Sequence, residues 1–205
     1  MEAVAVLDFE TTGLSPAQGD RATEIAITRI QDGVVTDRFQ SLMNAGRRIP
    51  AEITVLTGIT NAMIASAPPA SEVMRAAANF VGDCPLVAHN AAFDRKFWLA
   101  ELARLPVSAP PADFACTLLL SRRVYPQFSS HRLGAVVAAL GLPAAGRAHR
   151  AMADAEMASH LWMQLQRELC ERYGVRHLQF AHLMALQRLS RHRVPEWAKA
   201  LALAS

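Results

Sequence analysis

The sequence contains no apolar run approaching the ~18 residues that a membrane span needs. Its opening, Met1 to Glu10, is too short and too acidic for a signal peptide. The expected location is the cytoplasm, with no membrane partner. Three cysteines, Cys84, Cys116 and Cys170, are scattered without a CxxC pair or ligand-like spacing. They are expected to be buried thiols in a reducing compartment. No internal repeat or low-complexity tract is present, so one continuous domain is expected. Charged residues are few, 19% against 52% hydrophobic, which excludes a disordered chain. At 205 residues there is enough chain for one well-filled core, with or without an extension.

The formal net charge is only +3, but it is unevenly placed. Residues 1–166 carry 14 Lys/Arg against 15 Asp/Glu, and residues 167–205 carry 7 against 3. The excess of cations in the last segment points weakly to a polyanionic partner.

Val4-Ala5-Val6-Leu7 is a short apolar run, as a strand buried on both faces requires. Ala22 to Ile30 and Val34 to Leu42 flank Asp32-Gly33, a hairpin turn signal. An antiparallel meander is therefore expected to open the chain. After residue 70 the pattern changes. Ser71 to Val81 reads as a helix with Ser71 as N-cap, Pro85 to Ala88 as a strand, and Asn90 as the cap of a helix to about Leu105. A short strand near Asp113 to Ala115 precedes helices from about Cys116 and about His131. Pro106 to Pro111 and Pro143 to Gly146 read as loops. From Arg150 onward, apolar residues at 151, 155, 158, 162, 165 and 169 define one helical face. The tail from Arg176 reads as helical, with Pro195 as a late break. The fold class is α/β, a mixed sheet flanked by helices.

Asp8 and Glu10 stand two apart at the end of the first strand, so alternation puts both carboxylates on one face. Two like charges held together are costly unless a cation sits between them, and oxygen ligands suit magnesium or manganese. A solvated strand end is the alternative. Asp94 falls in the first turn of the helix after Leu86-Val87-Ala88, where the helix dipole alone would favour a carboxylate. His149 and Asp154 lie around the start of the most amphipathic helix and can address the same end of the sheet. An imidazole there can take a proton from water near neutrality. The other histidines (His89, His131, His160, His177, His182 and His192) are expected to be structural or solvated.

Together, Asp8-Phe9-Glu10-Thr11-Thr12-Gly13, His89-Asn90-Ala91-Ala92-Phe93-Asp94 and His149-Arg150-Ala151-Met152-Ala153-Asp154 resemble the three motifs of DEDDh 3′→5′ exonucleases. They are most similar to those of the proofreading epsilon subunit of bacterial DNA polymerase III and its stand-alone relatives. The resemblance covers roughly residues 3–166, with motif order and separations as expected. It implies a ribonuclease-H-like fold, two magnesium or manganese ions, and release of 5′-mononucleotides from a 3′ end. It also implies that Asp8 bridges the ions, that Glu10 and Asp154 complete one site, and that Asp94 serves the second. His149 becomes the general base.

The same resemblance suggests that Thr11 and Thr12 touch the terminal nucleotide through their backbone. In Leu56-Thr57-Gly58-Ile59-Thr60, Leu56 is the candidate wedge against the 3′ base. Phe93 is a candidate for stacking, with core packing as its alternative. Asn90 is expected to cap its helix rather than bind a ligand.

The expected organisation is an exonuclease domain over 1–166 and a basic helical extension over 167–205. DNA 3′ ends, single-stranded or frayed, are the expected partner, with RNA as the alternative substrate. A polymerase partner or a homodimer stays open. Proofreading subunits carry a clamp-binding peptide after the domain. Gln164 to Leu169 and Gln179 to Met184 are glutamine-led and apolar but do not match one convincingly, so a stand-alone enzyme is favoured.

Overall fold

In the computed structural model, strand β1 (Val4–Thr11) pairs antiparallel with β2 (Ala22–Gln31), which pairs antiparallel with β3 (Val34–Leu42). On its other side β1 runs parallel to β4 (Leu86–Ala88), and β4 runs parallel to β5 (Phe114–Cys116). The sheet order is β3-β2-β1-β4-β5, so the strand carrying Asp8 and Glu10 is central. The structure describes residues 2–106, 113–144, 146, 149–176 and 178–204.

The opening meander forms as the sequence predicts. Asp32 and Gly33 both have positive φ, 50° and 78°, which a tight hairpin turn of primed type requires. The two parallel strands follow, each leading into a helix: α4 (Ala91–Leu102) after β4 and α5 (Thr117–Val124) after β5. The remaining helices are α1 (Ala51–Thr57), α2 (Asn61–Ala65), α3 (Ala70–Val81), α6 (Leu133–Ala139), α7 (Ala151–Tyr173), α8 (Phe180–Leu186) and α9 (Val194–Ala204).

Alternation along β1 decides which face each residue serves. Ala5, Leu7 and Phe9 enter the core shared with α3 and α4. Val4 and Val6 enter the opposite core, with α5, α7 and the tail. Asp8 and Glu10 continue that even-numbered row, and so emerge beside α7. On α7 the predicted face is buried throughout: Ala151, Ala155, Ala158, Trp162, Leu165 and Leu169 are each at most 2% exposed.

Several expectations need correction. Helices α1 and α2 were not foreseen; α1 starts after Pro50 and ends at Gly58, whose φ of 75° is the left-handed stop. Helix α3 begins one residue before Ser71, with Pro69 in the cap position and no side-chain cap. Pro195 does not break the tail. It lies in the first turn of α9, where the missing N–H would have had no helical partner. Of the three free cysteines only Cys116 is buried, while Cys84 and Cys170 are half-buried. Strand β5 ends one residue later than expected. Most of the loop 106–111, Ala145 of the loop 143–146, and His177 lie outside the described residues.

Residues beyond 166 join the main core. Helix α7 runs through that position without interruption. Leu178, Leu183, Leu186 and Val194 pack with Trp162, Leu165 and Leu169 of α7. Gln187 is bound to the outer strand: its Oε1 accepts from the Cys116 amide at 2.7 Å and its Nε2 donates to the Phe114 carbonyl at 3.3 Å. Strand β5 is a sheet edge, and Gln187 occupies backbone groups that would otherwise be open there. No helix among the described residues is long and apolar enough to cross a membrane.

Candidate active site

The carboxyl ends of the parallel strands β1 and β4 face the N-termini of α4 and α7, the place where open α/β sheets bind ligands. A 330 Å³ cleft there is lined by Asp8, Glu10, Asp94, His149 and Asp154, with Thr11, Leu56 and Phe93 on its walls. Eight of the nine side chains singled out from the sequence therefore meet in one place.

Thr12 is the exception. Its hydroxyl accepts from the Arg21 amide at 3.0 Å and lies 3.4 Å from an Asp20 carboxylate oxygen. It is spent inside the loop after β1. Thr11 donates to the Gly13 carbonyl at 2.6 Å. A side chain at Gly13 would have to displace the Asp20 carboxylate, because an added Cβ would lie 2.5 Å from it.

Asp94 is buried and accepts from the Phe9 amide at 3.2 Å, which ties α4 to β1 between Asp8 and Glu10. Asn90 occupies the cap position of α4 without a side-chain cap bond, at a φ of 64°. His149 precedes α7 at a φ of 60°. Both residues hold a backbone conformation that non-glycine residues rarely adopt, and both flank the carboxylates; such strain persists where surrounding structure fixes it. The His149 amide donates to Asp154 Oδ2 at 3.0 Å. The His149 ring itself is exposed.

The electrostatics show what the cluster lacks. Burial, then repulsion from Asp94, Asp154, Glu10 and Glu24, pushes Asp8 well above the usual carboxylate range. Burial and the Asp154 and Glu24 charges raise Glu10 to about 8. Burial raises Asp94 to about 7 against two backbone hydrogen bonds that oppose it, and burial also raises Asp154. Four carboxyl groups that resist ionisation side by side form a site for positive charge. Ligand atoms of Glu10, His149 and Asp154 already lie within 4.8 Å of one another. The donors are hard carboxylate oxygens, as magnesium and manganese prefer.

Two further residues shape the site: Glu24, not singled out from the sequence, and His89, expected there to be structural or solvated. Glu24 lies directly opposite Glu10 across β1 and β2, a like-charge pairing that would destabilise the sheet if left alone. Burial would raise it, but hydrogen bonds from Arg150, Gln40 and the Ala151 amide bring its pKa below the ordinary value. It stays an anion paired with Arg150, apart from the four carboxyl groups whose pKa is raised. A glutamate inside the apolar run Ala22 to Ile30 was the available signal. His89 lines the same cleft. Its ring nitrogens bond the Thr117 hydroxyl and the His131 carbonyl, and burial drops its pKa to about 4, so it is a neutral wall.

Leu56 is 46% exposed on α1 at the rim of the cleft. Phe93 is half-buried, with its ring 5.1 Å from that of Phe97 and the Lys96 ammonium 4.9 Å from its centre.

Comparison with known proteins identifies the family and the fold. The family model RNase_T, described as Exonuclease, matches residues 5–161. The 3′-5′ exonuclease DinG of Bacillus subtilis is 34% identical over 191 residues, covering 93% of this chain and 20% of DinG. The DNA polymerase III epsilon subunit of Aquifex aeolicus is 32% identical over 170 residues, 83% of each chain. The chain thus spans about a fifth of DinG and only 12% of the B. subtilis PolC-type polymerase, to which it is 36% identical. Among solved structures, exonuclease X in complex with 5′ overhanging duplex DNA superposes with a TM-score of 0.70 at 24% identity, covering 90% of this chain and 99% of that one. The nuclease domain of 3′hExo, a DEDDh family member bound to rAMP, gives 0.70 at 19% identity, covering 83% and 94%. The likeness establishes the ribonuclease-H-like fold expected from the sequence.

Proposed function

The chain belongs to the RNase_T exonuclease family, and from that premise we propose that it removes 5′-mononucleotides from the 3′ end of DNA, with two divalent cations, magnesium or manganese, at its carboxylates. The observation that carries this reading is the convergence of Asp8, Glu10, Asp94 and Asp154 in one cleft, where burial raises the pKa of each. A group of like charges assembled by three separate segments makes chemical sense around cations. The relatives named as DNA polymerase III components support DNA over RNA.

Asp8 would be shared between the two ions, Glu10 and Asp154 would complete one position, and Asp94 would serve the other. When bound, the ions lower the pKa of the attacking water and offset charge on the leaving oxygen. The chain's own residues do the rest. His149, beside Glu10 and Asp154 yet open to solvent, accepts the proton of the attacking water and passes it to bulk. Leu56 and Phe93, which both line the cleft, hold the terminal base and sugar, and the backbone at Thr11 and Thr12 positions that nucleotide. The contacts address backbone and stacking faces common to all bases, so cleavage is indifferent to sequence. The catalytic unit is assigned to 1–166, with 167–205 as an extension carried on its core.

The test is cleavage of matched 5′-labelled DNA and RNA oligomers with magnesium, with manganese, and with a chelator. A metal-dependent ladder shortened from the 3′ end, stronger on DNA, is expected. Asp8→Asn should cost about 10³ in rate, the equivalent of ~4 kcal/mol. His149→Ala should lose most activity while calorimetry still shows metal binding. A folded Asp8→Asn protein that cleaves normally would refute the metal assignment, and faster cleavage of RNA would change the substrate.

A further inference from the structure

We propose that the strand upstream of the cleaved bond lies in a basic trough that the C-terminal tail completes, with Arg122, Arg132 and Arg191 holding its phosphates. The proposal rests on the exonuclease reading of the cleft and extends it to the path of the substrate.

Two hollows meet at Asp8, His89, Asn90, His149 and Asp154. The smaller, of 330 Å³, is closed by Leu56 and Phe93 and suits one terminal nucleotide. The larger, of 870 Å³, opens on the other side of the carboxylates and is walled by Arg122, His131 and Arg132. Among the described residues its only acidic lining residues are Asp8 and Asp154, which belong to the site itself. A polymer cut at the carboxylates has its next phosphates immediately beyond them. That continuing strand must leave by the open side.

Arg122 and His131 also line a third hollow of 330 Å³, together with Arg123, Ser190 and Arg191, and no acidic residue among the described ones lines it. The two hollows therefore share a wall and form one positively charged path from the carboxylates to the tail. Arg122, Arg132 and Arg191 are exposed. Among the described residues none of them has a carboxylate within ion-pair distance, whereas Arg21, Arg38, Arg150 and Arg172 do. A merely solvated face explains one such arginine more easily than three along one path that starts at a reacting centre.

The far end of the path is held in place. Gln187 bonds strand β5, and Arg123 donates to the carbonyls of Leu189 and Gln187, which fixes the segment just before Ser190 and Arg191. Arg123 is thus an anchor of the trough, and Arg191 is its outermost contact. Position 191 lies beyond the segment that the family model matches, 5–161.

The experiment compares KM for a single-stranded dinucleotide and for a strand of about ten nucleotides, a length typical of such grooves. In the wild type the longer strand should have the lower KM, with a salt dependence steeper by roughly 0.7 log unit for each phosphate held. The double variant Arg122→Glu/Arg191→Glu should lose most of that advantage, on the order of tenfold, and flatten the salt slope by roughly 1.4. Arg188→Glu makes the same charge change as either member of the double variant alone, at an exposed tail position outside the trough, and should keep the length advantage. If the double glutamate variant does not fold, Arg122→Gln/Arg191→Gln is measured in its place. An unchanged length advantage in the folded double variant overturns the trough, and so does an equal loss in Arg188→Glu. A wild type that cleaves neither strand overturns the exonuclease reading instead.

Discussion

Arg150 grips Glu24 at two points, Nε to Oε2 at 3.1 Å and Nη2 to Oε1 at 2.9 Å, while the Ala151 amide donates to the same carboxylate at 3.2 Å. The pair joins the start of β2 to the N-terminus of α7, immediately after His149. It fixes where the third acidic segment meets the first two. Removing the cation leaves Glu24, itself 1% exposed at the side chain, buried without a counter-charge.

Arg150→Met is therefore expected to destabilise the protein. Fully buried pairs lose ~3–5 kcal/mol when one partner goes, and the 35% exposure of the Arg150 side chain reduces this to about 2 kcal/mol. The rate should fall further than the loss of folded protein explains, because the His149 turn loses its anchor. Denaturant melts beside single-turnover rates at full folding check this, with Arg150→Lys restoring part of the rate. A variant slowed only in proportion to its unfolded fraction would show the pair to be purely structural.

The metal-free protein should become less stable as pH rises from about 5 to about 8. Glu10 at about 8 and Asp94 at about 7, with Asp8 and Asp154 also raised, bind protons in the folded state that an unfolded carboxylate near 4 has already released. Stability therefore falls with pH across that window. Glu24, whose pKa is lowered, acts oppositely, but only below the ordinary carboxylate range. Melting curves between pH 5 and 8 should show the decline in chelator and its disappearance with saturating magnesium. Asp8→Asn should melt higher than wild type in chelator at pH 8.

Leu56→Ala is expected to leave stability nearly unchanged, since a side chain in a residue 46% exposed loses little burial, against the ~2–5 kcal/mol of a core leucine. It should raise KM or slow the cleavage of paired ends more than of frayed ones. Thermal melts and kinetics on both substrates decide it, and a large drop in melting temperature would place Leu56 in the core.

Gln187→Leu should cost roughly 2–3 kcal/mol, because the Cys116 amide and the Phe114 carbonyl are left buried without their partner. Amide exchange at Cys116 should accelerate in step with the loss of stability. Exchange unchanged at that amide would mean the tail does not protect the sheet edge.

The residues of the candidate site were legible because their signals are local. Alternation in Val4 to Glu10 alone puts the two carboxylates on one face, and Asp32-Gly33 alone fixes the hairpin. The spacing 151, 155, 158, 162, 165, 169 alone gives the buried face of α7. Helices α1 and α2 were missed because runs of 7 and 5 residues are too short to show a period, and their caps rather than their patterns define them.

What the sequence by itself determined is the set of acidic residues, the strand that carries the first two, and the helix that carries the last. Only the tertiary structure decided that Glu24 belongs with Arg150 rather than with the carboxyl groups of the candidate site. The reason is that a carboxylate's charge state is set by which cation packs against it, and Arg150 is 126 residues away along the chain. In the same way, Gln187 became part of the sheet edge because β5 leaves backbone groups open at that edge. The arginines of the tail and of α5 came to line one path because α8 and α9 pack on α7, an arrangement that exists only once the core has closed.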